Sequence, residues 1–275
     1  MLPEYLSKDL KLKNLKNFLL ISGPCVVETK QIAFKTCETL IKITEKLKIP
    51  FVFKSSYIKA NRTSADSFRT IGIDESLKIL SDLKKEFNVP ILTDIHSELE
   101  IEIAAEVADF LQIPAFLSRQ TELLEAAGES GKIINIKKGQ FLAPHDMKYQ
   151  AAKVADTGNK KIFLTERGST FGYNNLVVDM RSLVIMRESG YPVIFDATHS
   201  IQMPSGNNGV SGGSPEFIPP LARAAAAVGV DGFFIETHPD PKKALSDASS
   251  MIKLDKMEGL LKQLNVINDI SKNYR

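Results

Sequence analysis

FLLISGPCVVETKQIAFKTCETLIKITEKLKIPFVFKSS, residues 18–56, is the stretch that decides the fold. Two short apolar runs, 18–22 and 51–54, flank a longer segment of helical period. Both runs are continuous rather than alternating, which is typical of strands that are buried on both faces. Between them, residues 32–47 place apolar side chains along one face of a helix, and Pro50 marks a point where that helix has ended. The stretch therefore predicts a strand, a helix and a second strand.

The same alternation continues to the end of the chain. Six further apolar runs are separated by segments of helical period, and they lie at residues 91–94, 110–113, 133–136, 162–165, 193–196 and 232–236. Eight strand–helix units in a chain of about 250 residues are the count and spacing of a (β/α)8 TIM barrel. The main alternative is an open doubly wound sheet. That fold usually has fewer strands and a glycine-rich phosphate turn after its first strand, which is missing here.

Length and composition are those of an ordinary globular protein. The chain has 275 residues, of which 43% are apolar and 25% charged. We expect one domain over residues 1–275, with residues 1–17 as an N-terminal appendage that forms a hairpin across the bottom of the barrel. The net charge of +2 indicates no nucleic-acid partner, and no apolar run is long enough for a membrane span. Two cysteines, Cys25 and Cys37, are a poor disulfide framework, so we expect a cytoplasmic protein.

Charged and polar residues follow nearly every predicted strand. Because the carboxyl ends of the strands build the active site of a barrel, these residues are expected to share one mouth. Six of them are basic, although the whole chain is nearly neutral: Lys54, Lys59, Arg62, Lys137, Lys138 and Arg167. Such a concentration of positive charge suits phosphorylated or carboxylated substrates. The alternative is that these cations merely pair with the acidic strand-end residues Asp94, Glu166, Asp196 and Glu236.

A second set of strand-end residues has the chemistry of a metal site. Cys25, His199 and Glu236 belong to the first, seventh and eighth strands, which become neighbours when the barrel closes, and Asp247 in the next loop can reach the same point. A thiolate, an imidazole and two carboxylates suit a divalent ion of the Zn, Fe, Mn or Co type better than Mg. Taken alone, a cysteine is more often a small buried hydrophobe. We predict one divalent metal ion held by these four residues.

Several motifs make the chain recognisable. They are Gly23-Pro24-Cys25, Lys54-Ser55-Ser56, KANRTS (59–64), PAFLSRQT (114–121), NIKKGQF (135–141), ERG (166–168), FGYNNLVVD (171–179), DATHS (196–200), ETHPDP (236–241) and Ser246-Asp247. Together they resemble the 3-deoxy-D-manno-octulosonate 8-phosphate (KDO8P) synthase branch of the DAHP/KDO8P synthase family. The resemblance runs in collinear order from residue 18 to residue 272.

The resemblance distinguishes two branches and two classes. The sister branch, the 3-deoxyheptulosonate 7-phosphate (DAHP) synthases, uses erythrose 4-phosphate and typically carries Lys-Pro-Arg-Thr where this chain has Lys59-Ala60-Asn61-Arg62. The KDO8P branch uses arabinose 5-phosphate. Within that branch, one class has Asn at the position of Cys25 and needs no metal, and the other has Cys there. Cys25 therefore resembles the metal-dependent class.

The resemblance implies a transferase that condenses phosphoenolpyruvate with D-arabinose 5-phosphate in lipopolysaccharide precursor biosynthesis. Lys54, Asp94, Lys137 and His199 would be catalytic. The implied substrate-binding residues are Lys54, Ser56, Lys59, Asn61, Arg62, Thr63, Ala115, Arg119, Lys137, Gln140, Arg167 and Gln202. Arg119 would reach the sugar phosphate from a neighbouring subunit, so the resemblance also implies a homo-oligomer, a tetramer.

Three rival functions remain open. A Schiff-base aldolase on the same fold would need a desolvated lysine at a strand end, for which Lys137 is the candidate. A phosphosugar-binding module without activity would lack a complete set of metal ligands. The third rival is the DAHP synthase reaction with erythrose 4-phosphate.

Overall fold

The computed structural model describes residues 2–60, 67–207 and 210–272, and it contains a closed barrel of eight parallel strands. The barrel strands are β1 (Leu19–Gly23), β2 (Phe51–Lys54), β3 (Ile91–Asp94), β4 (Phe110–Ile113), β5 (Ile133–Lys137), β6 (Ile162–Glu166), β7 (Val193–Asp196) and β8 (Gly232–His238). Each strand pairs in parallel with the next, and β8 closes the ring against β1. The predicted (β/α)8 barrel is confirmed.

The predicted strands agree with the observed ones to within two residues. The differences lie mainly at the carboxyl ends, where β5 and β6 each run one residue further and β8 runs on to His238. These added residues are polar, because the end of the ladder faces the barrel mouth. An apolar run therefore underestimates the length of a strand at this end.

Helices cover the outside of the barrel. They are α2 (Lys30–Leu47), α3 (Ile73–Phe87), α4 (Ile101–Val107), α5 (Thr121–Glu129), α6 (Met147–Asp156), α7 (Arg181–Arg187), α8 (Ile218–Val228) and α9 (Met257–Ser271), after an N-terminal α1 (Tyr5–Leu10). The start of α2 is capped by Thr29, whose Oγ1 accepts a hydrogen bond from the backbone N–H of Ile32 at 3.2 Å. In the described part of the chain, none of these helices combines the length and the apolar character that crossing a membrane requires.

Burial on both faces explains the continuous apolar runs. Leu19 and Ile21 point into the barrel and pack with Phe110, Phe163 and other inward side chains. Leu20 points outward into the larger core that lies between the strands and the helices. Because successive residues of a strand face opposite sides, both sides must be apolar for both cores to form.

The N-terminal appendage closes the bottom of the barrel with a helix rather than with the strands of the expected hairpin. Leu2 and Leu6 are buried against the inward-facing core, and Tyr5 packs edge-on against Phe163 with ring centroids 6.5 Å apart. The segment still folds back on itself, since the backbone N–H of Leu2 donates to the carbonyl of Leu15 at 3.3 Å.

Short strands extend the opposite, carboxyl end. Ser169–Thr170 pairs with Leu176–Val177 after β6, and Gln202–Asn207 pairs with Val210–Gly213 after β7. Ile252–Lys253 pairs with the last two residues of β8. These short strands lie at the mouth of the barrel, where the predicted site residues lie.

Candidate active site

The carboxyl ends of the strands bring most of the predicted residues to one buried mouth. Lys54, Asp94 and Lys137 are the last residues of β2, β3 and β5, and each is less than 10% exposed. Gly23 permits the close approach of β1 and β2 at this point, because a Cβ there would lie 2.1 Å from the carbonyl oxygen of Lys54. A side chain at position 23 would therefore push apart the two strands that carry Cys25 and Lys54.

Three of the four predicted metal ligands form a compact cluster. The ligand atoms of Cys25, Glu236 and Asp247 all lie within 4.8 Å of one another. The Cys25 thiol donates to Asp247 Oδ2 at 3.0 Å. The fourth residue is adjacent, with His199 Nε2 at 3.8 Å from Glu236 Oε1 and 3.9 Å from Asp247 Oδ2. The four residues thus converge, as expected from strands that are neighbours in a closed barrel.

His199 is oriented by an acidic residue three positions before it. Its Nδ1 lies 2.8 Å from Asp196 Oδ2, and the Asp196 carboxylate also accepts the backbone N–H of His199 at 2.9 Å. Burial alone would raise the pKa of Asp196, but the charges of His199 and Lys137 and the hydrogen bonds from His199 lower it well below its usual range. An ionised Asp196 holds the proton on Nδ1 and leaves Nε2 facing the cluster.

The cluster fits a divalent cation. Glu236 Oε2 is buried and has no hydrogen-bond partner in the described part of the chain, although an unpaired buried carboxylate oxygen is costly. Burial, followed by the charges of Asp247 and Glu236, raises the pKa of the Cys25 thiol. A bound cation would reverse that effect and favour the thiolate. Sulfur, imidazole and carboxylate donors together suit the zinc and iron type of ion.

Two lysines of the mouth form ion pairs with carboxylates of the mouth. Lys54 Nζ donates to Glu236 Oε1 at 2.7 Å and to the carbonyl of Cys25 at 2.9 Å. Lys59 Nζ lies 3.8 Å from Asp94 Oδ2. Pairing therefore accounts for part of the positive charge, and the case for an anion site depends on the cations that keep unused donors.

Lys137 is enclosed by two different partners. Its Nζ donates to Asp196 Oδ2 at 2.6 Å and lies 3.6 Å from the centroid of the Phe234 ring, a cation–π contact. Burial lowers the pKa of Lys137, and Lys54 acts in the same direction, whereas Asp196 opposes the shift. A desolvated lysine of this kind is what a Schiff-base enzyme needs, but the short ion pair with Asp196 stabilises the ammonium form.

Arg167 retains an unused donor. Its Nη2 donates to Gln202 Oε1 at 2.8 Å, while the buried Nη1 has no partner among the described residues. The Oε1 of Gln140, on the preceding loop, is likewise buried and unpartnered in that part of the chain. A buried guanidinium with a free donor suits an anionic ligand that arrives from the mouth.

Lys138 differs from the expectation that six basic residues line the mouth. It follows Lys137 directly, and adjacent residues at a strand end point to opposite sides. Its fully buried Nζ donates to Ser169 Oγ at 3.0 Å, lies 3.6 Å from Glu166 Oε1 and contacts carbonyls of the loops after β5 and β6. Lys138 thus ties these two loops together, which matches the alternative of pairing with strand-end carboxylates.

Comparison with known proteins places this chain in a family. The protein-family model described as the DAHP synthetase I family matches residues 7–272. The chain belongs to that family. Its curated relatives include proteins named 2-dehydro-3-deoxyphosphooctonate aldolase from Dichelobacter nodosus, 54% identical over 96% of this chain and 95% of the relative, and from Geotalea daltonii, 52% identical over 99% and 100%. The protein of that name from Legionella pneumophila strain Corby is 53% identical over 94% of each chain.

In this member of the DAHP synthetase I family, the remaining predicted residues are placed as follows. Ser56 Oγ donates to Asp94 Oδ2, and Ala115 is buried in the turn after β4. Arg119 is exposed in the same loop, and its backbone carbonyl accepts a hydrogen bond from Lys153 Nζ at 3.1 Å. Asn61, Arg62 and Thr63 lie outside the described residues.

Two residues of the mouth have contacts that the sequence did not assign to them, although both stand at strand ends. Asp196 orients His199, and Gln112 donates to Asp94 Oδ1. A signal for both exists in the sequence. Asp196 is an acidic residue at a strand end close to a histidine, and Gln112 is a polar residue inside an apolar run. Such residues inside a barrel strand have few structural reasons to be polar unless they bond to one another.

Proposed function

We propose that this protein catalyses the condensation of phosphoenolpyruvate with D-arabinose 5-phosphate and water, which gives 3-deoxy-D-manno-octulosonate 8-phosphate and inorganic phosphate. The observation that carries the proposal is the identity of 54% and 52%, over nearly the whole length, to relatives named 2-dehydro-3-deoxyphosphooctonate aldolase. The mouth supports it, because it holds buried cations, among them the unpartnered Nη1 of Arg167, together with a cluster of soft and hard ligand atoms. The names of the relatives favour this reaction over the DAHP synthase alternative.

The anionic groups of phosphoenolpyruvate would be held by the cations that are buried at the mouth. Arg167 offers Nη1, and Lys137 and Lys54 add positive charge at the ends of β5 and β2. Gln140 and the backbone of Ala115 would complete this part of the site. The sugar phosphate would be bound by Lys59, Asn61, Arg62 and Thr63, the segment that the resemblance assigns to arabinose 5-phosphate.

In the proposed reaction, a carbon–carbon bond and a bond from C2 to the oxygen of water form, and the bond from C2 to the phosphate oxygen breaks; one proton of water goes to the aldehyde oxygen and the other to the leaving phosphate. C3 of phosphoenolpyruvate attacks the sugar aldehyde, water adds at C2, and phosphate leaves by cleavage of its bond to C2. Asp94 and His199 would orient the water and the aldehyde, helped by Gln202. Holding two anionic substrates side by side removes much of the entropic cost of their encounter, a contribution of up to ~7–11 kcal/mol in favourable cases.

A divalent ion would be held by Cys25, His199, Glu236 and Asp247. When bound, it would supply a Lewis acid that stabilises negative charge on the aldehyde oxygen. The donor set suits an ion of the Zn, Fe, Mn or Co type. The function of Asp196 would be to keep His199 Nε2 directed towards this ion.

The proposed setting is the cytoplasm, and the proposed assembly is a homotetramer of single-domain chains. Both cysteines are free and buried, and Cys25 has to stay reduced to bind a metal. These features favour a reducing compartment. Several large apolar side chains are exposed on the loops of the mouth, among them Phe116 at 54%, Phe141 at 56% and Phe171 at 68%. An exposed apolar surface next to the site is a feature of subunit interfaces.

One set of assays tests the proposal. Purified protein is given phosphoenolpyruvate with either arabinose 5-phosphate or erythrose 4-phosphate, with and without a chelator, and product and phosphate are measured. We expect turnover with arabinose 5-phosphate only, lost on chelation and restored in part by Mn, Zn, Fe or Co. Preference for erythrose 4-phosphate would move the chain to the sister reaction. Borohydride trapping of pyruvate on Lys137 would instead favour the Schiff-base aldolase.

A further inference from the structure

A line of hydrogen-bonded side chains runs inside the barrel along four consecutive strands, from β6 to β3. Thr165 Oγ1 donates to Asn135 Oδ1 at 2.7 Å, and Asn135 Nδ2 donates to Gln112 Oε1 at 2.8 Å. Gln112 Nε2 in turn donates to Asp94 Oδ1. All four side chains are buried, and Asn135 and Thr165 are completely inaccessible to solvent. Neither of these two residues has a part in the function proposed above.

The line has only one consistent direction. An ionised Asp94 can only accept hydrogen bonds, so Gln112 must turn its amide nitrogen towards it. The oxygen of Gln112 then faces Asn135, which must present its own nitrogen. The oxygen of Asn135 is left for Thr165, whose hydroxyl is the donor that completes the line. Each amide is therefore oriented by the one before it, and the hydroxyl of Thr165 fixes the far end.

Asp94 lies at the end of this line of hydrogen bonds. Its Oδ1 is occupied by Gln112, while its Oδ2 accepts from Ser56 and lies 3.8 Å from Lys59 Nζ and 3.9 Å from Lys54 Nζ. Burial alone would raise the pKa of Asp94, but Lys54, Lys59 and other cations lower it far below its usual range, so the carboxylate is ionised. Rotation of the carboxylate plane would break the bond to Gln112 and move Oδ2 away from the lysines.

We propose that Asn135 and Thr165 are positioning residues, which act through Gln112 to fix the plane of the Asp94 carboxylate. This inference rests on the function proposed above, in which Asp94 orients the reacting groups. Apolar side chains of similar size would fill the barrel without the cost of desolvating two amides and a hydroxyl. The polar line ends at Asp94, which faces the mouth. Its polar character is therefore explained by a need to fix the Asp94 carboxylate.

Thr165→Val tests the proposal with almost no change of shape. It removes the terminal donor and leaves Asn135 Oδ1 buried without a partner. We expect kcat to fall about 10-fold, as for the loss of one buried hydrogen bond, with the KM values of both substrates changed less than about twofold. Thr165→Ser keeps the hydroxyl and should retain most of the wild-type kcat.

The matched control is Thr44→Val. Thr44 is a buried threonine in α2, away from the mouth, and its hydroxyl donates to the carbonyl of Leu40 at 2.8 Å. This variant should lose comparable stability with kcat unchanged. Wild-type kcat in Thr165→Val would overturn the proposal. An equal fall of kcat in Thr165→Ser would do so too, because packing rather than the hydroxyl would then matter.

A crystal structure of Thr165→Val gives a readout that does not depend on activity. We expect the Asp94 carboxylate to rotate or to occupy two orientations, and an unchanged, fully ordered carboxylate would contradict the positioning role. Asn135→Leu serves the same purpose if Thr165→Val does not fold. If the wild-type protein makes no product from the two substrates, the proposed function fails, and this structural comparison still decides whether the line positions Asp94.

Discussion

At the scale of single residues, Asp196 holds several neighbours at the mouth. It accepts hydrogen bonds from His199 and Lys137, and also from Thr198, whose backbone N–H lies 3.2 Å from Oδ1. Two residues with proposed roles in metal binding and substrate binding are thus held by one carboxylate. Changing that carboxylate should affect both roles without touching a ligand atom.

Asp196→Asn is expected to weaken divalent metal binding about 10- to 100-fold, the usual effect of losing an outer partner of a metal-binding histidine. The amide removes the charge that holds the proton on His199 Nδ1. Isothermal titration of the metal-free protein with Mn or Zn measures the effect. Asp109→Asn is the control, because Asp109 also bonds a lysine, Lys84 at 2.8 Å, but lies at the other end of the barrel. Unchanged affinity in Asp196→Asn would show that the ring is oriented by other contacts.

Cys25→Asn places an amide where the metal-independent class of the family has one. We expect the variant to lose tight metal binding while part of the turnover survives, since the anion-binding residues are untouched. Elemental analysis and turnover after exhaustive dialysis against a chelator give the two readouts. Cys37→Ala controls for loss of a buried thiol, because Cys37 lies in α2 away from the cluster. A folded but inactive Cys25→Asn protein would mean that the ion does more than position groups.

At the scale of elements, Gly23 controls how closely β1 and β2 approach. Gly23→Ala would put a Cβ 2.1 Å from the carbonyl oxygen of Lys54, a backbone atom that cannot move alone. We expect a loss of at least about 1–3 kcal/mol in the free energy of unfolding, the range for overpacking, together with weaker metal binding through Cys25. Chemical denaturation measures the first effect.

Gly259→Ala is the matched control for that experiment. Gly259 lies in α9, and a Cβ there would meet nothing within 4 Å. Alanine at a helix position with free space should stabilise the protein by about 0.5–1 kcal/mol. If both variants changed stability by the same small amount, the close approach at Gly23 would not constrain the strands.

The barrel strands could be predicted from the sequence because their physical cause is local. Burial on both faces makes each of them a continuous apolar run, and β2, β3, β4 and β7 have the predicted bounds. The hairpin formed by Gln202–Asn207 and Val210–Gly213 could not be predicted in this way. Its residues form no continuous apolar run, since Met203 and Val210 stand among polar residues, Pro and Gly, and its pairing is antiparallel with a shift in register. The helix α1 was hidden for a different reason, since its six residues are too few to show a helical period.

The residue types of the candidate site could be predicted better than the directions of their side chains. Residue types at strand ends predicted that Cys25, His199 and Glu236 would lie close together, because strand neighbours in a closed barrel follow from chain order. The direction of Lys138 depends on where β5 ends, and a shift of one residue reverses it. The bonds among Gln112, Asn135 and Thr165 need the register of four strands, which no single run contains.

At the scale of the whole molecule, the proposed site needs residues from more than one chain. Arg119 is exposed in the loop after β4, and its carbonyl, rather than its guanidinium, is bound, by Lys153 Nζ at 3.1 Å. The proposed role of Arg119 in binding the sugar phosphate therefore requires a second subunit whose mouth it can reach. Exposed apolar residues around the same loop, such as Phe116, give that subunit a surface to pack on.

Arg119→Ala should raise the KM for arabinose 5-phosphate roughly 10- to 150-fold, as for a charge-assisted contact of about 1.5–3 kcal/mol, with the KM for phosphoenolpyruvate little changed. Steady-state kinetics with each substrate varied in turn makes the comparison. Arg223→Ala is the control, since Arg223 on α8 bonds Gln263 on α9 at 3.0 Å, outside the mouth. A surface arginine of that kind contributes about 0–1 kcal/mol and should affect neither substrate.

Mixed oligomers test the shared site directly. Chains with Arg119→Ala and chains with Lys137→Ala each have a defect, but the two defects would lie on opposite sides of a subunit interface. In a hybrid, some sites would combine an intact Arg119 from one chain with an intact Lys137 from the other. Assayed at arabinose 5-phosphate concentrations far below the KM of the Arg119 variant, the mixture should therefore exceed the sum of its separate components. Native mass spectrometry establishes that hybrids have formed, and hybrids without any gain in activity would place Arg119 outside the site of the neighbouring chain.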